Sequence, residues 1–402
     1  MEVLISLNAN FVRFLKLIKV LCFYLTSKIY SKKKNILILA QFTPLTGTHT
    51  YFTQIISFFC KKEFNVAVCV NHSNLSDVQI LQHKYVFKII PYDQELSHYE
   101  YFGSKKFVFN GLIFDNYYTR VIFLLKILIS TRSSVLWVSS QHPTQFFPTL
   151  LMPVKVFYVV HAMLWANPDG ASNFFLRLFK NKKSLKFITV SSAAKRKIKA
   201  FWDIDKNKIS VLPNYFEPKY TSHPVHDNSI PIILSIGTLD DNKQPFLFAK
   251  LAQKAFEFYG DKLRFLWIGT GPLFTECKKL EMHIKNLSFL GSKESLDEYY
   301  SKATIYLQLS KTESQGIAIL GAMYNAIPCI VTNEGGPKEM VLHDFNGFNV
   351  DVKNENIVFS KIKFLLENPK IAREMGQRGC DIYKSKFTKQ NWEFQMETVI
   401  NC

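Results

Sequence analysis

From residue 35 onward the chain alternates short apolar runs with longer stretches of helical period. NILILAQF, FNVAVCVN, VLWVSS, KVFYVVHA and KFITVSS are continuous apolar runs bounded by polar residues. Strands buried on both faces have this composition. The pattern pauses at residues 213–231, PNYFEPKYTSHPVHDNSIP, which has four prolines and no period, and it reads as a linker. It resumes with IILSIGT, LRFLWIGTG, LSFLGS, TIYLQLS and IPCIVT, each followed by a polar or glycine-bearing turn and a helical stretch. NWEFQMETVI reads as a closing helix. Alternation of this kind predicts an α/β protein with parallel sheets covered by helices.

A chain of 402 residues exceeds one compact core of ordinary size. The boundaries predicted are a basic amphipathic arm over 1–34, a Rossmann-like domain over 35–212, the linker over 213–231, a second Rossmann-like domain over 232–385 and the closing helix over 386–402. Two doubly wound domains facing a cleft would bind ligands at the carboxyl ends of their strands.

Charge changes the picture in the first half. Residues 1–220 hold 29 Lys plus Arg against 11 Asp plus Glu, and the remainder holds 21 against 21, so the net +18 lies wholly in the first half. A biased genome would load both halves alike, so an anionic partner is expected for the basic half, either a membrane surface or an acidic ligand. In the arm, Phe11, Phe14, Leu15, Ile18, Leu21, Cys22, Leu25 and Ile29 share one helical face, with Arg13, Lys16 and Lys19 on the other. Those cations argue against a spanning helix, and Glu2 against a cleaved leader. Two readings stay open: a helix packed on its own protein, or one lying in a membrane interface. Residues 173–186 mix Phe174, Phe175, Leu178 and Phe179 with Arg177, Lys180, Lys182, Lys183 and Lys186 in the same way. Nucleic acid is not an expected partner, because the aromatics of this half fall in apolar runs and no recognition motif is present. Seven scattered cysteines without a C-x-x-C spacing argue against a zinc site or disulfide framework and for a reducing compartment.

Candidate chemistry follows the strand runs of the second half. LDDNKQP carries Lys243 as its only cation; Gly269 and Gly271 precede Pro272, read as the start of a helix; Glu313 and Gly316 precede a helical run through Ala322 and Met323; Gly335 and Gly336 precede Pro337. Glycine-led helix starts with unpaired N–H groups, together with one lysine, suit a phosphorylated ligand without a metal. A carboxylate beside them would repel phosphate but can accept from the adjacent hydroxyls of a sugar. The combined reading is a sugar diphosphate.

The segments SIGTLDDNKQP, IGTGP, LSFLGS, TIYLQLS, the Glu-x-x-Gly element, IPCIVTNEGGPKEMV and NGFNV, nearly continuous over 232–350, resemble the donor-binding domain of glycosyltransferase family 4. NILILAQFTPLTGTHTY, YVVHAM, FITVSSAAKRKI and ISVLPN resemble that family's acceptor domain more loosely. The resemblance implies the GT-B fold and a retaining, metal-independent hexosyl transfer from a nucleoside-diphosphate sugar to a glycan or lipid-linked acceptor, with no cofactor. It implies that Lys243 contacts the diphosphate and Glu313 the sugar hydroxyls, with amides of Gln315, Gly316 and Ile317 meeting sugar and phosphate. Gly47 and Thr48, in the loop after the first strand, would lie near the distal phosphate, His161 would face the sugar, and Ser288–Ser292 would line the base. Two positions depart from the family: Gly321 stands where a second Glu is expected for the ribose, and Thr238 where an Arg is expected for the diphosphate. These departures leave open a non-catalytic relative serving as a partner or binding subunit. What many relatives do points to surface polysaccharide or lipopolysaccharide assembly at the cytoplasmic face of the inner membrane.

Overall fold

The computed structural model describes residues 34–40, 47–92, 106–109, 112–115, 126–139, 154–161, 180, 182–218 and 230–401. Arg13, Lys16, Lys19 and Arg177 lie outside these residues. The chain divides into two compact units, one of residues 1–44, 48–188 and 198–210, the other of residues 45–47, 189–197 and 211–402.

Residues 35–211 hold β1 (Asn35–Ala40), α1 (Gly47–Lys61), β2 (Asn65–Asn71), α2 (Leu75–Gln82), β3 (Lys88–Tyr92), β4 (Lys106–Phe109), β5 (Leu112–Asp115), β6 (Val135–Ser139), β7 (Lys155–Val160), β8 (Leu185–Thr189), α3 (Ser192–Trp202) and β9 (Ile209–Val211). Seven strands form one sheet in the order β3-β2-β1-β6-β7-β8-β9, and β4 pairs antiparallel with β5 in a separate hairpin. The pairs β1 with β2, β1 with β6, β2 with β3, and β6 with β7 are parallel. The apolar runs become buried strands: Ile36, Leu37, Ile38, Leu136, Trp137 and Val138 are fully enclosed. The Trp137 indole N–H donates to the Tyr51 hydroxyl at 2.9 Å, so a large aromatic is buried without an orphaned donor.

The second unit holds β10 (Ile232–Ile236), α4 (Pro245–Tyr259), β11 (Arg264–Ile268), α5 (Phe274–Glu281), β12 (Leu287–Phe289), α6 (Asp297–Lys302), β13 (Ile305–Gln308), α7 (Ile317–Tyr324), β14 (Cys329–Thr332), α8 (Pro337–Met340), β15 (Gly347–Val350), α9 (Glu355–Glu367), α10 (Pro369–Lys386) and α11 (Lys389–Asn401). Its six strands run β12-β11-β10-β13-β14-β15, and all five pairs are parallel. Both sheets are the doubly wound α/β kind that the alternating pattern predicts.

Chain order reverses between β10 and β13, so helices leave toward opposite faces there and the carboxyl ends of these two strands open a crevice. Lys243 follows β10 and Glu313 follows β13. Part of the stretch read as a linker packs on this unit: Tyr215 lies against Trp392 with ring centres 5.2 Å apart, and the Phe216 carbonyl accepts from the Tyr383 hydroxyl at 2.7 Å. Strands β3, β9 and β15 and the hairpin carry no clear run in the sequence. They are short and lie at sheet edges or in the separate hairpin, where less apolar surface needs covering.

Candidate functional site

The loop after β10 begins on a fixed point. Trp267, in the core, donates its indole N–H to the Gly237 carbonyl at 2.9 Å. Gly269 and Gly271 explain themselves here by backbone contact: a Cβ at Gly269 would sit 2.0 Å from the Gly237 oxygen, and one at Gly271 2.5 Å from the Leu239 oxygen. They let two loops run side by side, with Gly237 N donating to Ile268 O and Leu239 N to Thr270 O, both at 3.0 Å. The helix beyond them begins at Phe274 rather than at Pro272, because residues 272 and 273 are spent in a turn. Thr238 is half-buried in the same loop, and its carbonyl accepts from Asp240 N. In the stretch 288–292, Ser292 Oγ lies 3.2 Å from Thr270 Oγ1.

Lys243 is held by its backbone and its stem. Its N–H donates to Asp240 Oδ1 at 2.9 Å, and its methylenes lie over Gly237, where a Cβ would be 3.6 Å from Cδ. Asn242 ties this loop to the one after β13: its Nδ2 donates to Thr312 O at 3.0 Å, its Oδ1 accepts from Thr312 N at 3.2 Å, and its carbonyl accepts from Lys311 N at 2.7 Å. Asp241 pairs with Lys311, and Gln244 Nε2 donates to Leu309 O at 2.6 Å. The result is that Lys243 Nζ donates to Glu313 Oε2 in an ion pair whose side chains are only 19% and 15% exposed. Ser310 Oγ donates to the same oxygen at 3.4 Å. Asp240, Asn242 and Ser310 were missed by sequence reasoning, because single small polar residues in loops carry no periodic signal.

Gly335 and Gly336 form a bed for Glu313. The Gly336 N–H donates to the Glu313 carbonyl at 2.9 Å, and a Cβ at Gly335 or Gly336 would lie 2.0 Å from the Glu313 or Ser314 oxygen respectively. Gly335 also has φ 85°, which disfavours any side chain. The helix after this pair, α8, is a single turn of four residues, and the glycines serve close backbone packing. Gly316, with φ 91°, caps α7, whose first-turn amides have no intrahelical acceptor except where Ile319 N turns back to Gly316 O at 3.0 Å. The Gln315 side chain is buried and clamps the backbone of Asn214, accepting from its N–H at 2.7 Å and donating to its carbonyl at 3.1 Å.

Gly321 faces Tyr300. A Cβ there would lie 2.5 Å from Tyr300 Cζ and Oη, and the fully buried Tyr300 donates its hydroxyl to the Ala318 carbonyl at 2.9 Å. The position at which a second carboxylate is expected is therefore committed to helix packing.

In the first unit, His161 follows β7. Its ring meets Tyr51 edge-on with centres 4.0 Å apart, and its Nε2 is enclosed without a hydrogen-bond partner among the described residues. Burial pushes its imidazole down to about 4. Thr48 stands in the first turn of α1, not in a loop. Gly47 groups with the second unit, where a Cβ would lie 3.5 Å from Ile317 Cδ1. Lys180 pairs with Asp203, Lys182 is half-buried and Lys183 is exposed. Burial also lowers the Lys182 ammonium. Among the described residues no cluster of His, Cys, Asp and Glu could hold a metal ion, no helix is long and apolar enough to cross a membrane, and Cys60, Cys69, Cys277, Cys329 and Cys380 are unpaired thiols.

Residues 218–381 match the family model of glycosyl transferases group 1. The chain is 30% identical over 139 residues to the N-acetyl-alpha-D-glucosaminyl L-malate synthase of Bacillus anthracis, covering 34% of this chain and 36% of that protein. It is 26% identical over 168 residues to an Escherichia coli UDP-Gal:alpha-D-GlcNAc-diphosphoundecaprenol alpha-1,3-galactosyltransferase, covering 38% of this chain and 43% of that one. It thus spans between about a third and a half of the length of these relatives. A glycosyltransferase from Rickettsia africae superposes with a TM-score of 0.74 at 14% identity, over 92% of this chain and 98% of that one. Anabaena HepE in complex with UDP and glucose gives 0.71 at 14%, over 92% and 99%. These likenesses identify the fold as that of GT-B proteins, as the resemblance in sequence implies.

Gly321→Ala is expected to lower stability by about 1–3 kcal/mol although alanine is the better helix former, because the clash falls on an anchored, buried ring. Chemical denaturation measures it, and a variant as stable as wild type contradicts the packing argument. His161 supplies a pH signature. Its imidazole binds a proton in the unfolded chain near 6.5 but in the folded one only near 4. Stability is therefore lost as pH falls from 6.5 toward 4, by at most about 3 kcal/mol because the residue is not wholly enclosed. His161→Phe, which keeps the edge-on contact with Tyr51, should flatten that part of the stability curve; parallel curves for the two proteins exclude His161 as its source.

Proposed function

Because residues 218–381 match the family model of glycosyl transferases group 1, we propose that this chain moves a sugar from a nucleoside diphosphate to a hydroxyl of a glycan or lipid-linked acceptor. The observation that carries this reading is the half-buried pair of Lys243 and Glu313 at the strand-order reversal, beside the glycine-capped start of α7. A lysine and first-turn amides stabilise a leaving diphosphate as its charge grows, and they do so more in the transition state than before it. Glu313 accepts from hydroxyls of the sugar. Transfer proceeds with retention and without a metal: the diphosphate takes the acceptor proton, so the reaction asks for no dedicated nucleophile. His161 acts on the sugar, in keeping with the resemblance. The partnerless enclosed Nε2 is the feature of this chain that supports that role.

Acceptors on a lipid carrier are favoured by the relatives. Besides the E. coli protein, a Campylobacter jejuni relative, 24% identical over 170 residues, is named for transfer to a diphosphoundecaprenol-linked glycan. The alternative of a non-catalytic partner subunit finds no support among them. On this reading the protein works in surface polysaccharide or lipopolysaccharide assembly, on the cytoplasmic face of the membrane. The basic first half, with Lys180, Lys182 and Lys183 in its described part and Arg13, Lys16, Lys19 and Arg177 outside it, meets the anionic lipid.

Lys243→Ala should lower kcat/KM about 100-fold or more in a sugar-transfer or donor-hydrolysis assay while the protein stays folded. Rates equal to wild type reject the site, and so does the absence of a thermal shift with UDP, GDP or ADP, since a ligand at 100 times its Kd stabilises by about 2.7 kcal/mol. Co-sedimentation with phosphatidylglycerol vesicles should fall when residues 1–30 are removed. Equal recovery in the soluble fraction for both forms removes the membrane from the proposal.

A further inference from the structure

Side chains alternate along a strand, so Tyr306, Gln308 and Ser310 fall on one face of β13 and its continuation. All three are buried, at 0%, 2% and 0% exposure. They are joined in series: Tyr306 Oη to Gln308 Oε1 at 2.6 Å, Gln308 Nε2 to Ser310 Oγ at 3.0 Å, and Ser310 Oγ to Glu313 Oε2 at 3.4 Å. Three polar side chains in a strand core are costly unless each finds its partners, and this chain supplies them.

The series has a direction. An ionised carboxylate only accepts, so Ser310 must spend its single proton on Glu313, and its lone pair is then filled from the Gln308 NH2. That turns the carboxamide oxygen toward Tyr306, which donates to it. Flipping the carboxamide would draw the Ser310 proton away and leave two oxygen lone pairs facing each other across the 3.4 Å between Ser310 and Glu313. Ser310 and Lys243 both donate to Oε2, and among the described residues no donor is recorded on Oε1. One oxygen is held by the protein and the other is left for a ligand.

We propose that Ser310 and Gln308, anchored by Tyr306, are positioning residues that fix which oxygen of Glu313 meets the donor sugar. The ligand half of this rests on the reading of Glu313 as acceptor of sugar hydroxyls. Ser310→Ala removes the last donor. Gln308→Glu keeps the shape but accepts from both neighbours, reversing the series, and Gln308→Leu breaks it without burying a charge should the former fail to fold. Ser310→Thr retains the hydroxyl.

The test uses two readouts on full-length protein: the carbon-13 resonance of the Glu313 side-chain carboxylate in glutamate-labelled samples, and calorimetric Kd values for UDP-glucose, GDP-mannose and ADP-glucose beside their free nucleotides. Ser310→Ala and the Gln308 variants should move the Glu313 resonance. They should also reduce the extra affinity of the nucleotide sugar over its nucleotide by about five- to tenfold, the worth of one ordinary hydrogen bond. Nucleotide affinity itself should hold, and Ser310→Thr should restore both readouts. A Glu313 resonance unmoved in Ser310→Ala overturns the proposal. A wild-type protein that binds none of the three donors overturns the donor reading and the ligand half with it, while the carbon signal alone still decides the hydrogen-bonded series.

Discussion

The candidate site depends on the tie that Asn242 makes between the loops after β10 and β13. One side chain donates to and accepts from the backbone of Thr312, which sets the two loops in register before any charged group meets. The ion pair of Lys243 and Glu313 could not do this alone. Desolvating two charges offsets most of their attraction, so a half-buried pair contributes little net stability unless other bonds fix its geometry. Asn242, Asp240 and Gln244 supply those bonds.

The same constraint explains the glycines. Gly269 and Gly271 bring the neighbouring loop against Gly237 and Leu239, while Gly335 and Gly336 do so for Glu313 and Ser314. In each case a carbonyl oxygen occupies the space a Cβ would need. Backbone is less mobile than side chains, so a carboxylate mounted on it is placed reproducibly, and preorganisation of that kind is what charge stabilisation requires.

Much of this was legible in the chain because the strands are apolar runs and ligands gather at their ends. Lys243, Glu313 and Gly316 stand directly after such runs. What was hidden has two physical causes. Asn242 acts through a contact between segments 70 residues apart, which no local period encodes, while Asp240 and Ser310 each act through one side-chain bond to a residue three positions on, in loops that have no period. The glycine pair at 335 and 336 looks the same in sequence whether it opens an anion site or cushions another loop, and its close contact with the Glu313 and Ser314 carbonyls is seen only in the folded chain.

Gly321 shows how packing and ligand chemistry compete for one position. A carboxylate there would have to displace Tyr300, whose burial is worth about 1.5–3 kcal/mol and whose hydroxyl holds the Ala318 carbonyl in the first turn of α7. That turn carries the amides proposed to meet the phosphates, and the ring steadies that helix start. Lys243 is already balanced by Glu313, and Thr238 brings no charge. On the proposed reading, further negative charge from a diphosphate is met chiefly by main-chain N–H groups, whose aim depends on the geometry of α7. Tyr300 and Gly321 then steady the start of α7, which gives the glycine a physical reason independent of any lost contact to a ribose.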